Sequence, residues 1–159
     1  MPHRDENSAL YLHGPDRLES AVAGLSGADL DLTRAPGEWT IRQIVHHVAD
    51  GELQWAAPIK MALAEPGRIY AHNLMDEDRW AEALDYAGRP IDPSLALFRA
   101  LRAHVAQLVG RLPDSWERYV SFGEDAEWKP SVAELIGIMS RHSLEHIEEI
   151  LEDRRHHGL

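Results

Sequence analysis

The segment RHSLEHIEEI, residues 141 to 150, places His142 and His146 four positions apart within a helical pattern. Residues at that spacing project from one side of a helix, and two imidazoles so placed can supply two nitrogen ligands to one metal ion. The spacing alone equally fits a pair of hydrogen-bonded core histidines. A second segment, IRQIVHHVADGE, adds His47 with Asp50 three positions later, so an imidazole and a carboxylate share a face. A third inward imidazole completes a three-histidine centre with open coordination positions, the arrangement of a catalytic rather than a structural divalent ion. His46 points about 100° away around the helix, so His46 and His47 cannot serve one ion. Asp50 reads either as a carboxylate that handles protons or orients a ligand, or as an ordinary polar residue at a bundle edge; we favour the first.

The composition narrows the chemistry. There is no cysteine, which excludes thiolate nucleophiles, iron–sulfur clusters and cysteine-rich zinc sites, fits a reducing compartment, and leaves nitrogen and oxygen to hold any metal. With 27 acidic against 16 basic side chains the formal charge is -11, so the average surface repels nucleic acid and anionic membranes. No window approaches the roughly 18 uninterrupted apolar residues of a membrane span, and MPHRDENSALYLHG has no apolar run of signal-peptide length. The expectation is a cytoplasmic protein of one domain, residues 1–159 with a core of about 15–155.

Four long helical patterns must position these residues. The first runs from Asp16, with Pro15 before it, to about Leu25, with an earlier start near Ala9 left open. The second opens at a Thr40/Gln43 capping box, with Trp39 placed to staple against Ile44, and carries Ile41, Ile44, Val45, Val48 and Trp55 towards Ala64. Pro58 marks a place for a kink. Residues 66–91 form the longest connection, with one short helix at about Asp76–Leu84. The third helix opens with Asp92 as cap and Pro93 in the first turn, and stops at Pro113. Residues 116–128 read as a loop rather than a strand pair around ERYVSF. The fourth begins at a Ser131/Glu134 capping box and buries Val132, Leu135, Met139, His142, His146 and Ile150 on one stripe. Four helices with no long strand predict an all-α helix bundle.

GEWTIRQIVHHVAD, MDEDRWAE, PIDPSLALFRALRAHV and the final R-H-x-x-x-H-I together resemble the DinB-like superfamily, most closely its YfiT-like branch of metal-dependent hydrolases and thiol-dependent transferases. The resemblance covers about residues 15 to 155. It implies a four-helix bundle of up-down-down-up order holding one divalent ion, commonly Zn or Ni, on three histidines. Matched to the H-x-x-D motif of the second helix and the H-x-x-x-H motif of the last, these are His47, His142 and His146. His47 rather than His46 fits, because only from His47 does Asp50 stand three positions on. Branch members often carry more histidine in the last helix, where this chain has Met139 and Ser143.

Three neutral imidazoles leave an ion its full double charge, so bound water or thiol becomes acidic near neutral pH. The resemblance implies transfer of a low-molecular-weight thiol to small electrophiles; a hydrolase of a small amide or ester and a non-catalytic metal-binding stress module are the alternatives. Asp50, and more weakly Glu145, are the candidate acids or bases. Glu148, Glu149, Glu152 and Asp153 read as a solvated face pairing with Arg154 and Arg155. His104 reads as a boundary residue and His156 and His157 as terminal ones. Tyr70, His72 and Asn73 fall in the long connection, which could pass over the metal as a lid, and Trp80 could cover the pocket or a protomer interface. A homodimer is compatible with the acidic helical surface.

Overall fold

The computed structural model describes residues 2–71, 75–123 and 126–159, so His72 and Asn73 of the expected lid lie outside the described residues. In chain order the elements are α1 (Pro2–Val22), α2 (Gly27–Leu30), α3 (Ile41–Ala64), β1 (Ile69–Tyr70), α4 (Glu77–Ala83), α5 (Asp92–Arg111), β2 (Ser121–Phe122) and α6 (Val132–His157). The long helices α1, α3, α5 and α6 form the bundle, with α1 and α3 each packed between α5 and α6. Residue pairings fix the directions. His46 meets Ser94 and, further along both helices, Glu52 meets Arg102, so α3 and α5 are parallel. Asp16 meets Arg99 while the earlier Tyr11 meets Arg102, so α1 opposes α5. His146 faces His47 while His142 packs on Gly51, so α6 opposes α3. The order is up-down-down-up, as the family resemblance implied.

Parallel packing of two successive long helices requires the chain to return the length of the bundle between them. Residues 65–91 make that return. On the way Ile69–Tyr70 pairs in parallel with Ser121–Phe122, so the segment expected to be a plain loop contributes a short strand to the connection rather than a hairpin of its own. Local signals set the helix starts. Both expected capping boxes form, Thr40 with Gln43 and Ser131 with Glu134, each pairing side chain and backbone reciprocally. At α5 the cap is Ile91, with no side-chain bond, and Asp92 is already the first helical residue; Pro93 sits in the first turn as expected.

The first helix departs most from the sequence reading. It begins at Pro2, ahead even of the earlier start near Ala9 that the sequence left open, and runs through Gly14 and Pro15, where Pro15 reads as preceding the helix. A proline inside a helix leaves the carbonyl four residues earlier without its donor. That carbonyl belongs to Tyr11, and the Nη1 of Arg102 donates to it at 3.0 Å. A Cβ at Gly14 would stand 2.1 Å from the same Nη1, so glycine there makes room for the guanidinium.

Arg102 is 1% exposed and is the largest fully buried side chain. Its Nε donates to Glu52 at 2.9 Å, and its Nη2 donates to the Met139 carbonyl at 2.9 Å and to Ser143 Oγ at 3.0 Å. The rings of Tyr11 and Phe98 each lie 4.4 Å from the guanidinium carbon, and the Tyr11 hydroxyl donates to the other oxygen of Glu52. This layer separates two apolar clusters. One holds Ile59, Leu63, Val105, Val109, Leu135 and Met139; the other holds Leu18, Ile41, Val45, Phe98, Ile147 and Ile150. Removing one partner from such a buried pair strands the other charge. Glu52→Ala is expected to lower the unfolding free energy by about 3–5 kcal/mol, whereas Arg99→Ala, at the exposed pairs with Asp16 and Glu19, should barely move it; urea denaturation of the two variants checks the contrast.

Candidate metal centre

His47 projects from α3 into the groove between α3 and α6, where it meets His142 and His146, one turn apart on α6. The ring centroids stand 5.0 Å (His47 to His142), 4.7 Å (His47 to His146) and 4.6 Å (His142 to His146) apart. Each ring offers one nitrogen to a common point, all within 4.8 Å of one another, and they are the metal-competent group of three among the described residues. The Nε2 atoms of His47 and His142 approach to 3.0 Å. Nitrogens held about 2.0–2.1 Å from one tetrahedral zinc stand roughly 3.3 Å apart, so the donor set fits a divalent ion.

Three neighbours shape the rings. Gly51, one turn after His47, lies under His142: a Cβ there would reach the ring Cε1 at 3.2 Å, so the helix carries glycine where the imidazole seats. Glu149 accepts from His146 Nδ1 at 3.0 Å, which fixes the tautomer and leaves the Nε2 lone pair for an ion. Trp39 packs edge-on against His47 at 4.7 Å and donates its indole N–H to Asp78 at 3.2 Å. The Nδ1 atoms of His47 and His142 are buried without a protein hydrogen-bond partner.

Burial, then the neighbouring imidazoles His146 and His142, lower the His47 pKa to about 3. Burial, then His146 and Arg102, lower that of His142 to about 4. Both rings are therefore neutral at neutral pH, the state in which imidazole ligates.

Asp50 lies three residues after His47 and accepts the hydroxyl proton of Tyr86 at Oδ2. Burial first, and then that bond, push the Tyr86 phenol well above its usual range, so it remains a donor. His46 faces away from the cluster, its Nδ1 2.7 Å from Ser94 Oγ and its Nε2 3.3 Å from the Arg89 carbonyl. Glu145 and His104 are exposed.

The acidic face of α6 is not uniformly solvated, contrary to expectation. Asp153 is 1% exposed beside the Arg34 guanidinium, and Glu149 serves His146. Arg155 does pair with Glu148, whereas Arg154 donates to the Ala21 and Ala23 carbonyls instead. Tyr70 packs on Phe122 against the far cluster, away from any lid role. Among the described residues of the connection, the start of α4 reaches the site beside His146. There Glu77 and Asp78, with Arg34, Trp39, His146 and Glu149, line a cleft of about 370 Å³. Gly51, Glu149 and Tyr86 were not singled out from the sequence. The first two left signals, a glycine inside the HHVADGE helix and a carboxylate three residues after His146.

Comparison with known proteins agrees with this architecture. The family model described as the DinB superfamily matches residues 10–150. A relative from Oceanobacillus iheyensis, provisionally named a metal-dependent hydrolase, is 33% identical over 137 residues, covering 86% of this chain and 77% of its own. YfiT of Bacillus subtilis, with the same provisional name, is 30% identical over 144 residues, covering 91% and 80%. The solved YfiT structure, described as having an unusual four-helix bundle topology, superposes with a TM-score of 0.84 at 29% identity, covering 97% of this chain and 87% of that one. A mycothiol-dependent maleylpyruvate isomerase shares the fold at a TM-score of 0.69 and 16% identity, covering 92% and 60%.

Two imidazoles bind protons less readily here than in the unfolded chain, whose histidines titrate near 6.5. Their contribution to stability is complete above about pH 6.5 and is lost as pH falls towards about 4 and then about 3. The urea midpoint of metal-free protein is expected to fall steadily on acidification below about pH 6.5; a midpoint constant down to about pH 4.5 would contradict the burial of neutral rings.

Proposed function

The chain belongs to the DinB superfamily, and we propose that it is a metal-dependent enzyme whose divalent ion, zinc or nickel, is held by His47, His142 and His146. The observation that carries this reading is the meeting of His47 of α3 with His142 and His146 of α6, with a cleft opening beside His146. An all-imidazole set suits zinc and nickel over magnesium or calcium. When bound, the ion would supply Lewis acidity, the chemistry by which a thiol or water becomes anionic near neutral pH.

The chain's own residues do the rest. Glu149 holds His146 in the ligating tautomer, Gly51 seats His142, and Trp39 covers His47 from solvent. Asp50, three residues after His47 and bonded at Oδ2 by Tyr86, is the candidate base for the entering nucleophile. In the favoured reading the nucleophile is a low-molecular-weight thiol. Its sulfur loses the proton, forms a bond to an electrophilic carbon and displaces the leaving group, which departs with the electron pair of the broken bond. The isomerase neighbour depends on a thiol, which is the precedent in this fold. Hydrolysis of a small amide or ester is the second reading, favoured by the provisional names of the Oceanobacillus and Bacillus relatives.

Zinc- or nickel-loaded protein offered bacillithiol, mycothiol or glutathione with a fluorogenic electrophile separates the two. Thiol-dependent, chelator-sensitive adduct formation supports transfer, ester or amide turnover without thiol supports hydrolysis, and a bound ion with neither reaction leaves a binding protein. His142→Ala is expected to abolish metal uptake, read by elemental analysis, while the helical circular dichroism persists. Glu149→Gln should weaken metal affinity roughly 10–100-fold by releasing His146.

A further inference from the structure

The cleft beside the histidine cluster, which His146 lines, has a charge of its own. Four carboxylates line it: Glu38 from the segment before α3, Glu77 and Asp78 from α4, and Glu149 from α6. Among the described residues, Arg34 is the one basic side chain on the same walls, His146 aside. Its guanidinium is already spent on acids. Nε lies 2.9 Å from Asp153 and 3.5 Å from Glu38, and Nη1 donates to Glu152. Three carboxylates gather on one cation, so this corner remains net negative with Arg34 counted. The bias is local as well as global. The larger groove between α1 and α6, about 870 Å³, is edged by Arg17 and His13 as well as Asp16 and Glu148 and shows no such preference.

Between the acids the cleft is apolar. Trp39 and Ile44 form that part of the wall, and the indole is half-buried against His47. An aromatic wall ringed by carboxylates is the environment that attracts a cation carried on an apolar body, through the ring face and the surrounding negative potential together. A carboxylate or phosphate entering the same space meets the acids, and the Arg34 guanidinium already lies in ion pairs with Glu38, Glu152 and Asp153.

We propose that the cleft selects compounds bearing a positive charge, an ammonium or guanidinium group on a small aromatic or aliphatic body, as the electrophile or acyl substrate, and rejects anionic ones. This rests on the reading of the histidine cleft as the active site. The cation lies against Trp39, Glu77 and Glu38, and the reacting carbon of the same molecule then faces the three histidines. Two devices set this preference: the number of acids, and the consumption of Arg34 by Asp153 and Glu152 from the turn of α6 that follows Glu149.

The test uses zinc-loaded protein and three probes that share a phenyl ring: benzyltrimethylammonium, benzyl alcohol and benzenesulfonate. The quaternary cation has no lone pair for the metal. Binding is followed by the ¹⁵N-resolved indole N–H resonance of Trp39, identified with Trp39→Phe. The cation is expected to bind at least roughly tenfold more tightly than the sulfonate, with the alcohol between them, at low ionic strength. Added salt should narrow the gap. Glu38→Gln/Glu77→Gln should erase most of it while leaving zinc content unchanged. Equal affinity for the three probes, preference for the sulfonate, no saturable shift with any of them, or a gap untouched by the double substitution overturns the proposal. Zinc content, measured on the same samples, reports separately on the metal reading: a cation-selective cleft in protein that holds no divalent ion would remove the enzyme and keep the charge preference.

Discussion

The fold is organised around a charge it must bury. Arg102 lies in the middle of the bundle, and a guanidinium there is tolerable only when an anion and several acceptors surround it. All four long helices contribute. Glu52 of α3 supplies the anion, Tyr11 of α1 and Met139 of α6 supply carbonyls, Ser143 of α6 supplies a hydroxyl, and Phe98 of α5 supplies a ring face. Apolar contacts are permissive about register, since a leucine packs nearly as well after a small slide. Hydrogen bonds near 3 Å to a buried cation are not, because a slide leaves a donor unpaired in a medium without water. The polar layer therefore fixes the heights of the helices that the two apolar clusters merely hold together.

That fixed register is what the histidine cluster needs. Gly51 and Glu52 are neighbours on α3, and His142 and Ser143 are neighbours on α6. Successive residues on a helix point about 100° apart. On each helix, therefore, one member of the pair enters the core layer while the other turns to the groove with the histidines. A turn of α6 that satisfied a shifted Arg102 would swing His142 off Gly51. The scaffold side of the site is thus rigid, built on two helices locked to each other. Its covering side is different in kind: Glu77 and Asp78 come from a seven-residue helix within the long connection, tied to the bundle here through the Trp39 to Asp78 bond. Precise placement of ligands and adaptable coverage of the cleft are assigned to different parts of the chain.

Much of this was legible because it rests on short-range signals. Capping boxes declare helix starts within four residues, and the i, i+4 histidines with the H-x-x-D spacing declare one face of each ligand helix. What failed to show were interactions whose logic is long-range. Gly14-Pro15 reads as a break in any local scheme, and only Arg102, 87 positions later in sequence, explains why the helix continues through it. Asp153 resembles its exposed neighbours in type and spacing, yet it is buried because Arg34 from another part of the chain reaches it. The two-residue strand at Ser121–Phe122 exists because the connection passes alongside, which the segment's own residues do not announce. Gly51 and Glu149 were readable only once their partners were known to be His142 and His146.

The unpartnered Nδ1 atoms complete the picture of a site under local conflict. Neutral rings at Nε2 to Nε2 contact place two lone pairs, or a lone pair and one proton, face to face, while the opposite Nδ1 positions have no protein acceptor. Neither arrangement of tautomers satisfies every nitrogen, and burial disfavours the protonated state that would bridge them. A side-chain cluster selected for stability alone would be apolar at these positions, as the stripe above and below it is with Ile150 and Met139. Polar groups left in mutual conflict within an otherwise consistent core are the pattern expected where sequence serves chemistry rather than packing. A divalent cation shared at Nε2 would relieve that conflict, and three imidazole nitrogens are a donor set suited to one.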